Sequence, residues 1–194
     1  FGARFDKHSE ISNMIISPRT NIKYILSNNY VLRAGYSTGF KAPQTFDEDL
    51  HILGLEGKQK ILRNGDDLTE EKSQSLTLGI DYNGYINTIG FMFGITGYHT
   101  QIKEAFAIEF DHHGAEADYW KRVNSDGLSV NGVELEAGIQ PGAALEVIAG
   151  LTYLSGQYDT ELEDWNTREL LRTPDISATL GIMAALTQDL TLNL

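Results

Sequence analysis

An all-β chain of antiparallel, up-and-down strands, forming the wall of a membrane-spanning barrel, is the fold class that this sequence predicts on three observations. Apolar and polar side chains alternate with a period of two in segment after segment, which places them on opposite sides of a pleated backbone. The alternating segments run for about 10 to 15 residues, longer than the strand of about 5 to 6 residues usual in a water-soluble domain. Their connections are alternately short and long, the pattern of tight periplasmic turns and long extracellular loops.

Taken in order, strands are expected at 1–7, 15–27, 30–39, 70–83, 86–102, 119–140, 144–158 and 173–187, with another beginning near Leu190. Ile22, Tyr24 and Leu26 share one face against Asn21, Lys23 and Ser27, and the next strand resumes that face with Tyr30, Leu32, Ala34 and Tyr36 against Arg33, Gly35 and Ser37. Leu76, Leu78, Ile80 and Tyr82 oppose Thr77, Gly79 and Asp81. Ile89, Phe91, Phe93 and Ile95 oppose Thr88, Gly90, Gly94 and Thr96. Val133, Leu135, Ala137 and Ile139 oppose Glu134, Glu136, Gly138 and Gln140, and two carboxylates on one strand face require that face to be wet. In the last full strand Ile176, Ala178, Leu180, Ile182, Ala184 and Leu186 point outward, while Ser177, Thr179 and Gly181 point inward.

Short turns are expected at Asn28-Asn29, Asn83-Gly84-Tyr85, Pro141-Gly142-Ala143 and Gln188-Asp189, all rich in turn formers. Long polar connections fall at 8–14, 40–69, 103–118 and 159–172. Tyr24, Tyr30, Tyr36, Tyr82, Tyr153 and Tyr158 lie near strand ends, where an aromatic girdle would sit. A soluble β-sandwich would alternate as well, and stays open as an alternative that needs a second sheet over its aliphatic face.

Composition removes other classes. The net charge of −12 argues against nucleic acid as a partner, because phosphates would be repelled. No run of about 18 apolar residues could form a membrane-spanning helix, but a strand crosses with about 10 alternating residues. The 194 residues hold no cysteine, which excludes disulfide stapling and fits an exported protein. The start, FGARFDKHSE, has neither the basic segment nor the apolar core of a signal peptide, so the chain reads as a piece lying downstream of its targeting segment.

Specific motifs sharpen this. Arg33-Ala34-Gly35-Tyr36-Ser37-Thr38-Gly39-Phe40-Lys41-Ala42-Pro43 resembles the barrel motif of TonB-dependent outer-membrane receptors, in which a tyrosine-bearing strand runs into Gly-Phe-(Arg or Lys)-Ala-Pro. Asn64-Gly65-Asp66-Asp67-Leu68-Thr69-Glu70-Glu71-Lys72-Ser73 and the strand after it are similar to a second family motif, with Glu70 where many members carry proline. Val123-Asn124 followed by Gly132-Val133-Glu134-Leu135-Glu136 is a third match, and Ser17-Pro18-Arg19 before a strand is also similar. The three matches lie in family order over most of residues 33–140. Locally, Pro43 removes a backbone donor where a ladder ends and Gly39 permits a bend or close approach.

The resemblance implies a barrel of about 22 strands in the outer membrane of a Gram-negative bacterium, of which residues 1–194 supply about eight or nine from the C-terminal half. It implies active uptake of a scarce nutrient, such as an iron-siderophore complex, powered through TonB by way of an N-terminal plug domain that this chain lacks. Its partners would be TonB, the nutrient ligand and outer-membrane lipid. A passive porin or adhesin barrel is the alternative with the same alternation, distinguished by whether the parent chain carries an upstream plug of roughly 120 to 150 residues.

Catalytic chemistry is sparse and no enzyme is expected: there is no Gly-x-Ser-x-Gly elbow, phosphate loop or His-Glu-x-x-His helix. Asp111-His112-His113 with His99 carries metal-ligating side chains at no converging spacing, so a solvated loop is expected. Asp47, Glu48 and Asp49, with Asp66 and Asp67, lack the alternating order of a calcium loop. Glu134 and Glu136 are about 7 Å apart by strand rise, which matches a glycosidase pair, but no apolar pocket surrounds them and a lumen wall is expected. No cofactor or metal is expected, and no catalytic residue. Substrate contacts are expected on loops 40–69, 103–118 and 159–172, with Tyr119, Trp120 and Trp165 as aromatic candidates.

Overall fold

A computed structural model describes residues 1–9, 11, 13–43, 59–115, 117–162, 166–171, 173–187 and 190–194. Among the described residues all regular structure is β. In chain order the strands are β1 (Gly2–Asp6), β2 (Ile15–Ile25), β3 (Tyr30–Lys41), β4 (Gln59–Asn64), β5 (Glu71–Ile86), β6 (Ile89–Lys103), β7 (Ala105–His113), β8 (Ala117–Ser125), β9 (Leu128–Gly142), β10 (Leu145–Leu162), β11 (Thr167–Glu169), β12 (Ile176–Ala185) and β13 (Thr191–Asn193).

One antiparallel wall runs β1-β2-β3-β5-β6-β9-β10-β12-β13, with β11 paired to β10 beyond the reach of β12. Apart from β11, successive wall strands are spatial neighbours, as expected of an up-and-down sheet. It is open, with β1 at one edge and β13 at the other. The short connections β2–β3, β5–β6, β9–β10 and β12–β13 share one rim, and the long connections share the other. On the long-connection rim β4, β8 and β7 form a second sheet, in which β4 pairs parallel and β7 antiparallel to β8.

Register turns strand alternation into two faces. Tyr24, Leu32, Ile80, Ile95, Leu135, Leu151 and Ala178 face one another in a single apolar row across seven strands. One residue along each strand, Lys23, Arg33, Gly79, Thr96, Glu134, Thr152 and Ser177 form the opposing polar row. A slip of one residue would exchange the rows, so the chemistry of the two faces specifies the register.

The apolar face is uncovered. Leu180 is 67% exposed, Ile22 60% and Leu78 57%, while Ile11, Ala105 and Ala117 are the buried hydrophobic residues among those described. Among the described residues no second sheet lies over this face, which is not the two-sheet packing of a sandwich.

Five expectations need correction. The polar connections expected at 40–69 and 103–118, the second with a solvated loop at Asp111-His112-His113, carry strands: β4 lies in the first and β7 in the second, because they pair with β8 rather than with the wall. The strand expected at 119–140 is two, β8 and β9, broken at Asp126-Gly127; a Cβ on Gly127 would collide with the Ile102 carbonyl oxygen, so glycine allows the corner to press against β6. The second short turn is at Asn87-Thr88, not Asn83-Gly84-Tyr85, because Asn87 adopts a left-handed φ of 56°, which asparagine tolerates. Asn83 instead exchanges bonds with the neighbouring turn: its N–H donates to the Asn29 carbonyl (2.9 Å) and its own carbonyl accepts from Asn29 Nδ2 (2.7 Å). Pro141 and Gly142 likewise end β9, and the turn follows them. Finally, Tyr158 pairs with Leu128 five residues along β10 from Tyr153, so it lies on the polar face, away from the other tyrosines of the expected girdle. Gln188 and Asp189 lie outside the described residues.

Candidate functional site

Two regions of the wall carry concentrated polar chemistry: the middle of the inner face and the sheet on the long-connection rim.

On the inner face Arg33 of β3 forks onto Asp81 of β5, Nε to Oδ2 at 2.6 Å and Nη2 to Oδ1 at 2.8 Å, and Nη2 also reaches Thr96 Oγ1 at 3.3 Å. Such a planar fork is what guanidinium and carboxylate geometry favours. Glycines make room for it. A Cβ on Gly94 would come within 3.3 Å of Asp81 Oδ1, and one on Gly79 within 3.0 Å of Thr96 Oγ1 and 3.4 Å of Arg33 Nη2. Glu134 and Glu136 of β9 share this face and line the same concave stretch of about 500 Å³ as Arg33, Asp81 and Thr152. Their surroundings are hydroxyls, glycines and a paired cation, with none of the apolar walls that would hold one carboxyl protonated for glycosidase work.

The rim sheet gathers the expected aromatics. Tyr119 and Trp120 are adjacent in β8 and therefore face opposite ways. Arg63 of β4 lies over the Tyr119 ring at 4.7 Å, and from the β7 side His112 stacks on Tyr119 with centroids 4.5 Å apart and planes 11° apart. Lys121, on the Tyr119 side of β8, pairs with Glu109 at 3.6 Å. On the other face Phe110 meets Trp120 edge-on at 5.3 Å and His113 at 4.5 Å. Trp165 lies outside the described residues, as do Asp47, Glu48 and Asp49.

His112 and His113 are successive residues of β7 and lie on opposite faces, and the irregularity between Phe110 and His112 brings Phe110 onto the face of His113. Each takes its own carboxylate, His112 Nδ1 with Asp111 Oδ2 at 2.9 Å and His113 Nδ1 with Asp118 Oδ1 at 2.8 Å. His99 is in the wall, bonded through Nδ1 to Asn131 Oδ1 at 2.8 Å. These residues are not brought together, and among the described residues no cluster of three potential ligands forms. Asp66 and Asp67 occupy an exposed turn closed by Leu68 N–H on the Gly65 carbonyl at 3.2 Å.

Sequence reasoning missed Arg33, Asp81, Arg63 and Lys121. Alternation placed the first two on the polar face, but only the β3–β5 register shows that they meet. Arg63 reaches Tyr119 through a parallel pairing between segments more than 50 residues apart, for which no local signal exists.

A two-faced wall with all its elaboration on one rim agrees with one family. The family model described as TonB dependent receptor-like, beta-barrel matches residues 1–191. The chain belongs to this family. As a TonB-dependent receptor barrel the chain is not an enzyme. No curated protein sequence matches the chain.

Solved structures agree on the fold. The ferric enterobactin receptor PfeA of Pseudomonas aeruginosa, as its G324V mutant, is 21% identical with a TM-score of 0.68 over 98% of this chain and 28% of its own. The siderophore receptor PirA of the same species is 18% identical, with a TM-score of 0.65 over 98% of this chain and 40% of its own. The FrpB iron transporter of Neisseria meningitidis is 16% identical, with a TM-score of 0.65 over 91% of this chain and 25% of its own. The chain thus spans between a quarter and two fifths of the length of these relatives.

Proposed function

We propose that residues 1–194 are part of the barrel domain of an outer-membrane receptor that takes up a scarce nutrient, an iron-siderophore complex first among them, with energy relayed through TonB to a plug domain elsewhere in the parent chain. The observation that carries this reading is the rim sheet: a wall with a lipid-compatible outside gathers Arg63, Lys121, His112 and Tyr119 on one face at the end where all long connections lie. Cations and stacked rings suit a bulky anionic ligand with aromatic groups. That rim is assigned to the cell exterior and the short turns to the periplasm, following the asymmetry of outer-membrane barrels.

The test is uptake of radiolabelled iron by iron-starved cells that express the full-length parent, measured with and without an intact TonB system across a panel of ferric siderophores. Saturable uptake of at least one complex, lost when TonB is removed, is the expected outcome. Uptake that survives loss of TonB would replace the receptor reading with a passive porin. No uptake beyond that of cells lacking the gene, for any complex, would remove the iron assignment.

A further inference from the structure

Two of the stretches that resemble family motifs, one through Thr69 and Glu71 and the other at Val123-Asn124, meet at the junction between the wall and the rim sheet. The chain leaves the wall at Glu104, between β6 and β7, with a left-handed φ of 55°, and returns through Asp126-Gly127 between β8 and β9. At this junction one side chain uses its whole hydrogen-bonding capacity. Asn124 Oδ1 accepts from Thr69 N–H at 2.7 Å and from Thr69 Oγ1 at 3.1 Å, and Nδ2 donates to the Thr69 carbonyl at 3.1 Å and the Glu104 carbonyl at 2.8 Å. Two donors and two accepted bonds are all that a side-chain amide offers. Beside it, Glu71 Oε1 accepts from Phe106 N–H at 2.6 Å, tying the first strand of the wall after the loop to the start of β7. Gly65 N–H donates to the Arg122 carbonyl at 2.8 Å, so the turn after β4 is fixed to β8 as well.

We propose that Asn124 is a positioning residue which, with Glu71, clamps the three-stranded rim sheet to the wall and so holds the Arg63–Tyr119 face in one attitude above the lumen. This rests on the reading of that face as a ligand surface. The geometry is suited to the task because the amide bonds only to backbone at Glu104 and to backbone and hydroxyl at Thr69, which fixes where the chain runs whatever side chains the loops carry. Without it, Glu104 and Gly127 become the two corners about which the sheet turns, joined to β5 by little more than the Glu71 bond.

The experiment uses the full-length receptor in outer-membrane vesicles with spin labels at Glu109 on β7 and Gln74 on β5, both exposed. The distance distribution is measured by pulsed dipolar spectroscopy beside heat-modifiable gel mobility, and uptake kinetics are measured on the unlabelled proteins in iron-starved cells. In the parent the distribution is expected to be narrow. Asn124→Ala should at least double its width while leaving the mobility shift intact, and raise KM for uptake about tenfold with the maximal rate little changed, the scale of one or two lost hydrogen bonds. If Asn124→Ala does not assemble, Asn124→Asp keeps the shape and both accepted bonds but loses both donors, and the same broadening is expected of it. A width unchanged from the parent in an assembled variant would overturn the clamp, even if uptake fell. Broadening in the variant of a parent that itself transports nothing would support the clamp and remove the transport reading, so the two fail separately.

Discussion

Gly79 and Gly97 are close neighbours on β5 and β6 but belong to different faces. Gly79 lies in the inner row, where a Cβ would press on Thr96 Oγ1 at 3.0 Å and the Ile95 carbonyl at 3.2 Å, beneath the Arg33–Asp81 fork. Gly97 lies in the outer row, and a Cβ there would meet nothing within 4 Å. Gly79→Val should therefore cost about 1 to 3 kcal/mol by overpacking, while Gly97→Ala should stay within about 0.5 kcal/mol. Urea midpoints of the refolded receptor in lipid vesicles would check both, and equal midpoints would contradict the assignment of faces. The Arg33–Asp81 pair contributes less than its geometry suggests, since its side chains are 51% and 27% exposed and water screens them. Its value is in filling the lumen side with a satisfied fork beside Glu134 and Glu136.

For whole strands, the consequence of period two is a difference in tolerance between adjacent positions. In β12, Leu180 faces Ala149 on the outer side and Thr179 faces Gly150 on the inner side. Leu180→Arg is expected to cost about 2 to 4 kcal/mol near the bilayer midplane, and Thr179→Asn to be mild. Folding titrations of the complete receptor into vesicles would test this, with equal tolerance at the two sites removing the lipid-facing assignment of the strand. These strands were legible because alternation is written within each one: Leu76 to Tyr82, or Ile176 to Ala184, declares its faces without reference to any partner. β4 and β7 were not, and β8 was read as one strand with β9. β7 begins Ala105-Phe106-Ala107-Ile108, four apolar residues in a row, which masks its alternation, and its irregularity near Asp111 puts Phe110 and His113 on one face, which strict alternation would not. The corner at Gly127 was invisible for another reason: the atom that demands glycine there belongs to Ile102, on a different strand.

At the scale of the molecule the wall is an arc with two unsatisfied margins. β1 offers one margin and β13 the other, and each carries a row of backbone groups that only a further strand would pair. Residues 1–194 expressed alone and refolded in detergent should show no heat-modifiable mobility, whereas the full-length receptor should show it; a shift for the isolated piece would mean that the arc can close on itself. The two rims of the arc also differ in how they can accept changes of length. Every long connection begins and ends on wall strands that are already zipped together, so residues can be gained or lost there without moving any facing pair. The two-residue turn at Asn87-Thr88 has no such slack. Insertions and deletions are therefore channelled to one rim. A lineage of such chains can remodel that rim while the register of the wall stays as it was.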